Sequence, residues 1–324
     1  MSGGEVSLAP PRPHRALVLA RQYGIVWVTV ALFVVLSFAS DVFLSKQNLL
    51  NVLDQQSTVL IVAAAMTLTL IAGGFDVSLS AVYLLGGVTA LRIENDTGSI
   101  VLGVAAGLAV GLAAGCANGL ISTVGRINSF IATLATSFIY FGLAFVISDR
   151  SILRASDPGF SDVARTKVLD VAMSSWIAIV WVLVLWFVLD RTRFGRHVYA
   201  SGGNAEAARL AGVRVSLVQA STFALAGLAA GLAGVLVASR TSTAQASDDF
   251  SFIFGVIAAV VVGGTSILGG EGNVWRSVLG AFFIAFMING FNLLGVDPVY
   301  QRIIQGAIIL GAVGIDAWSR TRRR

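Results

Sequence analysis

Lysine is almost missing from this chain. Lys46 and Lys167 are the only two, and neither follows a glycine, so the GxxxxGK[ST] loop that cradles nucleotide phosphates is absent. One cysteine, Cys116, lies inside an apolar stretch, which excludes an internal disulfide and points to neither a thiol catalyst nor a thiolate metal cluster. The two histidines, His14 and His197, stand far apart in basic stretches, and no GxSxG, HExxH or CxxC occurs. Enzyme chemistry, a cofactor and a metal site are therefore not expected. Charge is scarce too: 12% of the 324 residues are charged, against about a quarter in a soluble domain.

What is present is apolar. Hydrophobic residues make up 56% of the chain and the mean hydropathy is +0.84, the composition of a polytopic membrane protein. About ten apolar segments follow one another, near 25–39, 49–71, 78–93, 100–122, 130–147, 171–189, 217–238, 252–268, 274–294 and 300–318. Each must be helical to satisfy its backbone in lipid. The expected fold is all-α with about ten transmembrane helices, some broken or re-entrant. A cytoplasmic tail spans 1–22, a transmembrane domain 23–319 and a basic tail 320–324. The first segment has the flanks of a cleavable signal but is read as an uncleaved helix, given the spans behind it. With both termini cytoplasmic, 14 of the 22 basic residues fall inside, as the positive-inside bias requires. The net charge of +5 thus belongs to the anionic leaflet rather than to nucleic acid.

Glycine is patterned. Gly103, Gly107, Gly111, Gly115 and Gly119 recur every four residues along one ridge of the fourth segment, and Ala226, Ala230, Gly234 and Ala238 form a ridge in the seventh, with Gly227 and Gly231 beside it. Such ridges let helix backbones approach closely. Two glycine breaks interrupt the apolar runs, GGFDVSLS from Gly73 and GGTSILGGEGN from Gly263. Interrupted helices in matching halves point to a translocation site. Gly73 and Gly74 weaken the helix there. Asp76 then caps the helix restarting at Val77, lines a hydrated pathway, or does both. Asn118, Asn289, Asn292 and Gln305 lie within later spans, where each either lines the route or bonds a neighbouring helix.

The centre of the chain, 190–215, is arginine-rich: Arg191, Arg193, Arg196, Arg209 and Arg214 place it in the cytoplasm. Gly202 and Gly203 are expected to loosen the backbone ahead of an Asn204 N-cap. A two-turn helix from Ala205 to Ala211 follows, ended by Gly212. Glu206 and Arg209 are spaced to pair, while Ala207, Leu210 and Ala211 share a face that needs a partner surface, since so short a helix is marginal alone.

The strings GGFDVS, NSFIATLAT (Asn128–Thr136), RFGRHVYASGGNAEAARLAGV and VVVGGTSILGGEG resemble inner-membrane permeases of bacterial ABC importers for ribose, xylose and similar sugars. The likeness runs from about Leu49 to Trp318 and departs after Asp76, where Leu79–Ser80 replaces an expected Val-Gly. It implies a second permease copy, a cytoplasmic ATP-binding subunit, and a periplasmic or lipid-anchored sugar-binding protein. Coupling to the ATPase is carried over to Arg193, Phe194, Gly195, Arg196, Gly202, Gly203, Asn204, Glu206, Ala207, Arg209, Leu210 and Gly212. From the glycine breaks and the polar residues within spans noted above, the residues expected on the translocation pathway are Gly73, Gly74, Asp76, Ser78, Asn118, Asn289 and Asn292. Two other readings stay open: an ion-coupled secondary transporter using Asp76, and an assembly protein whose ridges serve oligomerisation.

Overall fold

The computed structural model describes residues 24–321; the expected tail 1–22 and the end of the C-terminal tail lie outside the described residues, as does the side on which each terminus sits. The helices are α1 (Gly24–Ala39), α2 (Lys46–Ile71), α3 (Leu79–Thr97), α4 (Ile100–Thr123), α5 (Ser129–Ile147), α6 (Asp162–Arg165), α7 (Met173–Arg191), α8 (Arg193–Gly203), α9 (Ala205–Leu210), α10 (Val215–Thr241), α11 (Ser251–Val262), α12 (Val274–Leu293) and α13 (Pro298–Thr321). Four short strands join them: β1 (Ile152–Arg154), β2 (Lys167–Val168), β3 (Val171–Ala172) and β4 (Thr243–Gln245). Helices α2, α4, α5, α7, α10 and α12 are long and apolar enough to cross a bilayer, and α1 and α11 are shorter apolar helices. The chain is a multi-pass, predominantly helical membrane protein.

Local chemistry sets most helix starts. Ser45 accepts from the Asn48 N–H, Asn128 from those of Phe130 and Ile131, and Asn273 from that of Trp275. Each occupies a free donor of a first turn. The eighth segment stops at Val262, six residues before the expected Leu268. Its end is a backbone device: Gly264 takes φ +84°, and the Gly264 and Thr265 N–H groups donate back to Val261 and Val260. α2 ends in the same way, with Gly73 at φ +86° and Gly73 and Gly74 donating to Leu70 and Thr69. Both are left-handed glycine C-caps with the reverse bonding of a Schellman turn.

The glycine ridge of α4 faces α3 and α10. A Cβ on Gly111 would lie 2.6 Å from the Gly227 carbonyl oxygen and 2.8 Å from the Gly231 Cα, and one on Gly86 of α3 would lie 2.8 Å from the same Gly231 Cα. Three helices thus meet backbone to backbone, and close van der Waals contact holds them where lipid supplies no hydrophobic drive.

The end of the bundle away from the arginine-rich stretch is more ordered than a loop. Residues 149–170, between the fifth and sixth apolar segments, contain β1, β2 and α6, and β1 pairs antiparallel with β4, Leu153 opposite Ala244. Glu94, just past the expected end of the third segment at 93, is inside α3 and fully buried. Its carboxylate accepts from the Ser156 N–H and hydroxyl and from the Asp157 N–H, so the acid fastens the connection instead of facing water. Lys46 donates to Asp170 across 2.6 Å, and this partner holds the Asp170 carboxyl below the usual carboxylate range.

Candidate functional site

Two neighbouring constructions use the residues singled out above. The first is the arginine-rich stretch. Thr192 caps α8 by accepting from the Gly195 N–H, and α8 buries Gly195, Val198 and Ser201 while Arg193, Arg196 and His197 remain exposed. Phe194 packs half-buried against the core. Gly195 sits against the Leu189 carbonyl with no room for a side chain. Gly202 and Gly203 do not loosen the backbone as expected; they are the last residues of α8. Their smallness serves contact, because a Cβ on Gly202 would collide with the Ile71 carbonyl oxygen at the end of α2.

α9 follows directly and is exposed along most of its length. Asn204 accepts from the Ala207 N–H at 2.9 Å, and Gly212, at φ +85°, closes the far end. Only Ala208 is buried; Ala207, Leu210 and Ala211 are uncovered, Leu210 to 86%. Glu206 and Arg209 are both exposed and form no ion pair with each other. A capped helix therefore carries an apolar face that no described residue covers.

The second construction is a buried polar chain. Asp76 is wholly buried; its Oδ1 accepts from the Ser78 N–H at 2.9 Å and the Ser78 hydroxyl at 2.6 Å. Asn118 donates to the Ser78 hydroxyl at 2.6 Å, and Thr136 and Tyr140 donate to Asn118 Oδ1. Asp76 Oδ2 is buried with no hydrogen-bond partner among the described residues. The segment 128–136 clasps the same break: Ser129 accepts from the Phe75 N–H and Thr133 from the Val77 N–H, both at 3.0 Å. Ser129, Thr133 and Thr136 lie in the string Asn128–Thr136 quoted above but, like Tyr140, carry no individual role there; a hydroxyl every three or four residues on one face of α5 is the available signal.

The remaining pathway candidates lie elsewhere. Asn289 exchanges two amide hydrogen bonds with Asn48, at 3.0 and 2.8 Å, and Asn292 accepts from Gln301 at 2.9 Å. Both sit toward the start of α2, whereas Asp76, Ser78 and Asn118 sit beyond its end. The two sets are not brought together. Among the described residues no group of three or more His, Cys, Asp or Glu is placed to hold a metal.

The comparisons extend over nearly the whole chain. Residues 48–313 match the family described as branched-chain amino acid transport system / permease component. The L-arabinose ABC transporter permease protein AraH of Azospirillum brasilense is 35% identical over 99% of this chain and 95% of its own. The ribose import permease protein RbsC of Bacillus subtilis (strain 168) is 38% identical over 88% of this chain and 89% of its own. The RbsC of Escherichia coli (strain K12) is 36% identical over 89% and 91%. No solved structure matches. With the match covering every span from α2 into α13, the chain belongs to this family of transport-system permease components.

Proposed function

We propose that the chain is the membrane-spanning permease subunit of an ABC importer for a pentose-like monosaccharide or a polyol, resident in the bacterial inner membrane. It crosses the bilayer ten times, through α1–α5, α7 and α10–α13, with the arginine-rich α8–α9 arm in the cytoplasm. The observation that carries this reading is α9: capped at both ends and bare on Ala207, Leu210 and Ala211. Such a face asks for a soluble partner, and the relatives are named as ABC and import permeases. The partner is a cytoplasmic ATP-binding subunit, since the chain has no phosphate-binding loop of its own. Two copies of the permease form the pathway, and a sugar-binding protein delivers substrate from outside.

In the cycle, closure of the ATP-binding subunits on nucleotide displaces α9, and the bundle answers by opening toward one side and then the other. Arg193, Arg196 and Arg209 flank the docking face and steer an acidic partner surface; Asn204 and Gly212 keep its shape. Asp76 fixes the restart of the chain after α2, with Ser78 and Asn118 as its supports, at one end of the translocation pathway. The ion-coupled reading is disfavoured, because Asp76 is sealed from solvent and relatives at 35–38% identity are named as permeases of ABC or import systems.

The test is reconstitution of the chain with its ATP-binding subunit and binding protein in proteoliposomes. ATP-dependent uptake of ribose or arabinose is expected, and Ala207→Asp is expected to abolish retention of the ATP-binding subunit while leaving insertion intact. Undiminished uptake by Ala207→Asp would sink the coupling role of α9.

A further inference from the structure

The second glycine segment, 263–273, does not stand apart from the coupling arm. Gly270 donates its N–H to the Ile71 carbonyl at 2.9 Å, the oxygen against which Gly202 is pressed. A Cβ on Gly269 would lie 3.1 Å from both the Gly202 carbonyl oxygen and the Gly73 Cα, and one on Gly270 would lie 2.8 Å from the Gly203 Cα. Five glycines, from α8 and from both breaks, thus share one point of backbone contact. Two side chains bind the point together. The Tyr199 hydroxyl of α8 donates to the Gly272 carbonyl at 2.9 Å, and Gln219, at the start of α10, donates to the Ala72 carbonyl at 2.9 Å.

We propose that this junction is the transmission joint of the permease: α8 grips the end of α2 and the 263–273 loop at once, so that a push on α9 moves the two interrupted segments as one body. The proposal rests on the reading of α9 as the docking face. It gives the 263–273 segment a mechanical role rather than that of pathway lining, and it makes Tyr199 and Gln219 positioning residues.

The geometry beyond the joint supports it. Thr67 of α2 donates to the Ser277 hydroxyl of α12 at 2.7 Å, and Ser277 lies 3.2 Å from the Thr265 hydroxyl of the loop, so motion of the loop reaches α2 and α12 together. On the other side, Phe75 and Val77 are held by Ser129 and Thr133, which leads to α5 and to Asp76. Both interrupted helices end on the same left-handed glycine turn. Matched ends give the arm two equivalent handles, one in each half of the chain. A packed, hydrogen-bonded junction transmits displacement because it has no slack to absorb it.

The experiment uses the whole reconstituted complex with Tyr199→Phe, Gln219→Leu and the double variant. Each removes a bond to a backbone carbonyl and leaves α9 untouched. The ATP-binding subunit is expected to remain bound and to hydrolyse ATP, while sugar moved per ATP falls by about threefold or more in the double variant. Hydrogen exchange gives the second readout: trapping the nucleotide-bound state alters exchange in 199–204, 69–75 and 263–273 of the unsubstituted complex, and Tyr199→Phe silences the response in 263–273 alone. An unchanged ratio of sugar to ATP in the double variant overturns the proposal. A fall in uptake that merely tracks the amount of assembled complex recovered overturns it as well, because the bonds then serve folding only. Failure of the unsubstituted chain to retain the ATP-binding subunit is a different result and removes the docking reading first.

Discussion

Gly202 packs against the Ile71 carbonyl with no space for even a methyl group, while Gly203, the next residue, would present a Cβ to open space. Two adjacent glycines at the end of one helix therefore answer to different demands. Gly202 is required by contact. Gly203 meets Gly270 through its backbone only, and the direction its own Cβ would take is open.

Gly202→Ala is expected to force α8 from the end of α2, an overpacking cost of about 1–3 kcal/mol, with loss of most ATP-driven uptake. Gly203→Ala is expected to leave uptake within about twofold of normal, because alanine is the better helix former by about 1 kcal/mol and meets no neighbour. Uptake per unit of permease, measured side by side, checks the pair. Equal losses in both variants would show that chain flexibility, not contact, governs the position.

The seam of α3, α4 and α10 is expected to tolerate nothing larger than glycine at its centre. Gly111→Leu should prevent the three helices from closing and should sharply reduce recovery of folded permease, whereas Gly142→Leu, at an exposed site of α5 with no neighbour within 4 Å, should be recovered normally. Monodispersity in detergent and the thermal midpoint decide it.

Glu94→Ala is expected to free the connection after α5. It strands the Asp157 N–H and leaves the Ser156 N–H only its bond to Asn95, and a hydrogen bond to a charged group contributes about 1.5–3 kcal/mol. Faster hydrogen exchange across 155–160 and a lower thermal midpoint should follow, with ATP hydrolysis by the partner unaffected. Unaltered exchange there would mean that the β1–β4 pairing holds the segment alone.

Asn48 and Asn289 exchange amide bonds between α2 and α12. A double-mutant cycle with Asn48→Leu and Asn289→Leu should return a coupling of about 0.6 kcal/mol, and no more than about 1.7, as for other interhelical polar pairs in membranes. If Asn289 serves only this bond, the double variant should transport as well as either single one. Loss of uptake specific to Asn289 changes would instead give it a place on the pathway.

Much of this protein was legible before folding was considered. The apolar runs set helix positions to within a few residues, from Ile100 at the start of α4 to Leu293 at the end of α12, because bilayer thickness and backbone satisfaction leave the chain few options. Asn204 and Gly212 were readable as caps because capping is decided within four residues. The early end of α11 at Val262 was missed, since hydropathy continues through Ile267 and Leu268 while only the Gly263–Gly264 pair announces the turn. The hydrogen bonds of Glu94 were missed for another reason: an acid near a helix end looks solvated until its partner, 62 residues away, is placed.

By itself, then, the sequence determined the elements: where the apolar stretches lie, which ridges are bare of side chains, and that a short helix with an apolar face runs from Ala205 between an Asn204 cap and a Gly212 stop. Those properties depend on residues within one or two turns of each other. Tertiary structure alone decided that the ridges of α3, α4 and α10 meet one another, that β1 finds β4, and that Gly73, Gly202 and Gly270 converge on Ile71. Contacts of that kind join residues on different elements, 21 positions apart for Gly86 and Gly107 and 131 for Ile71 and Gly202. No local periodicity encodes them, because their free energy exists only once the helices between them have packed.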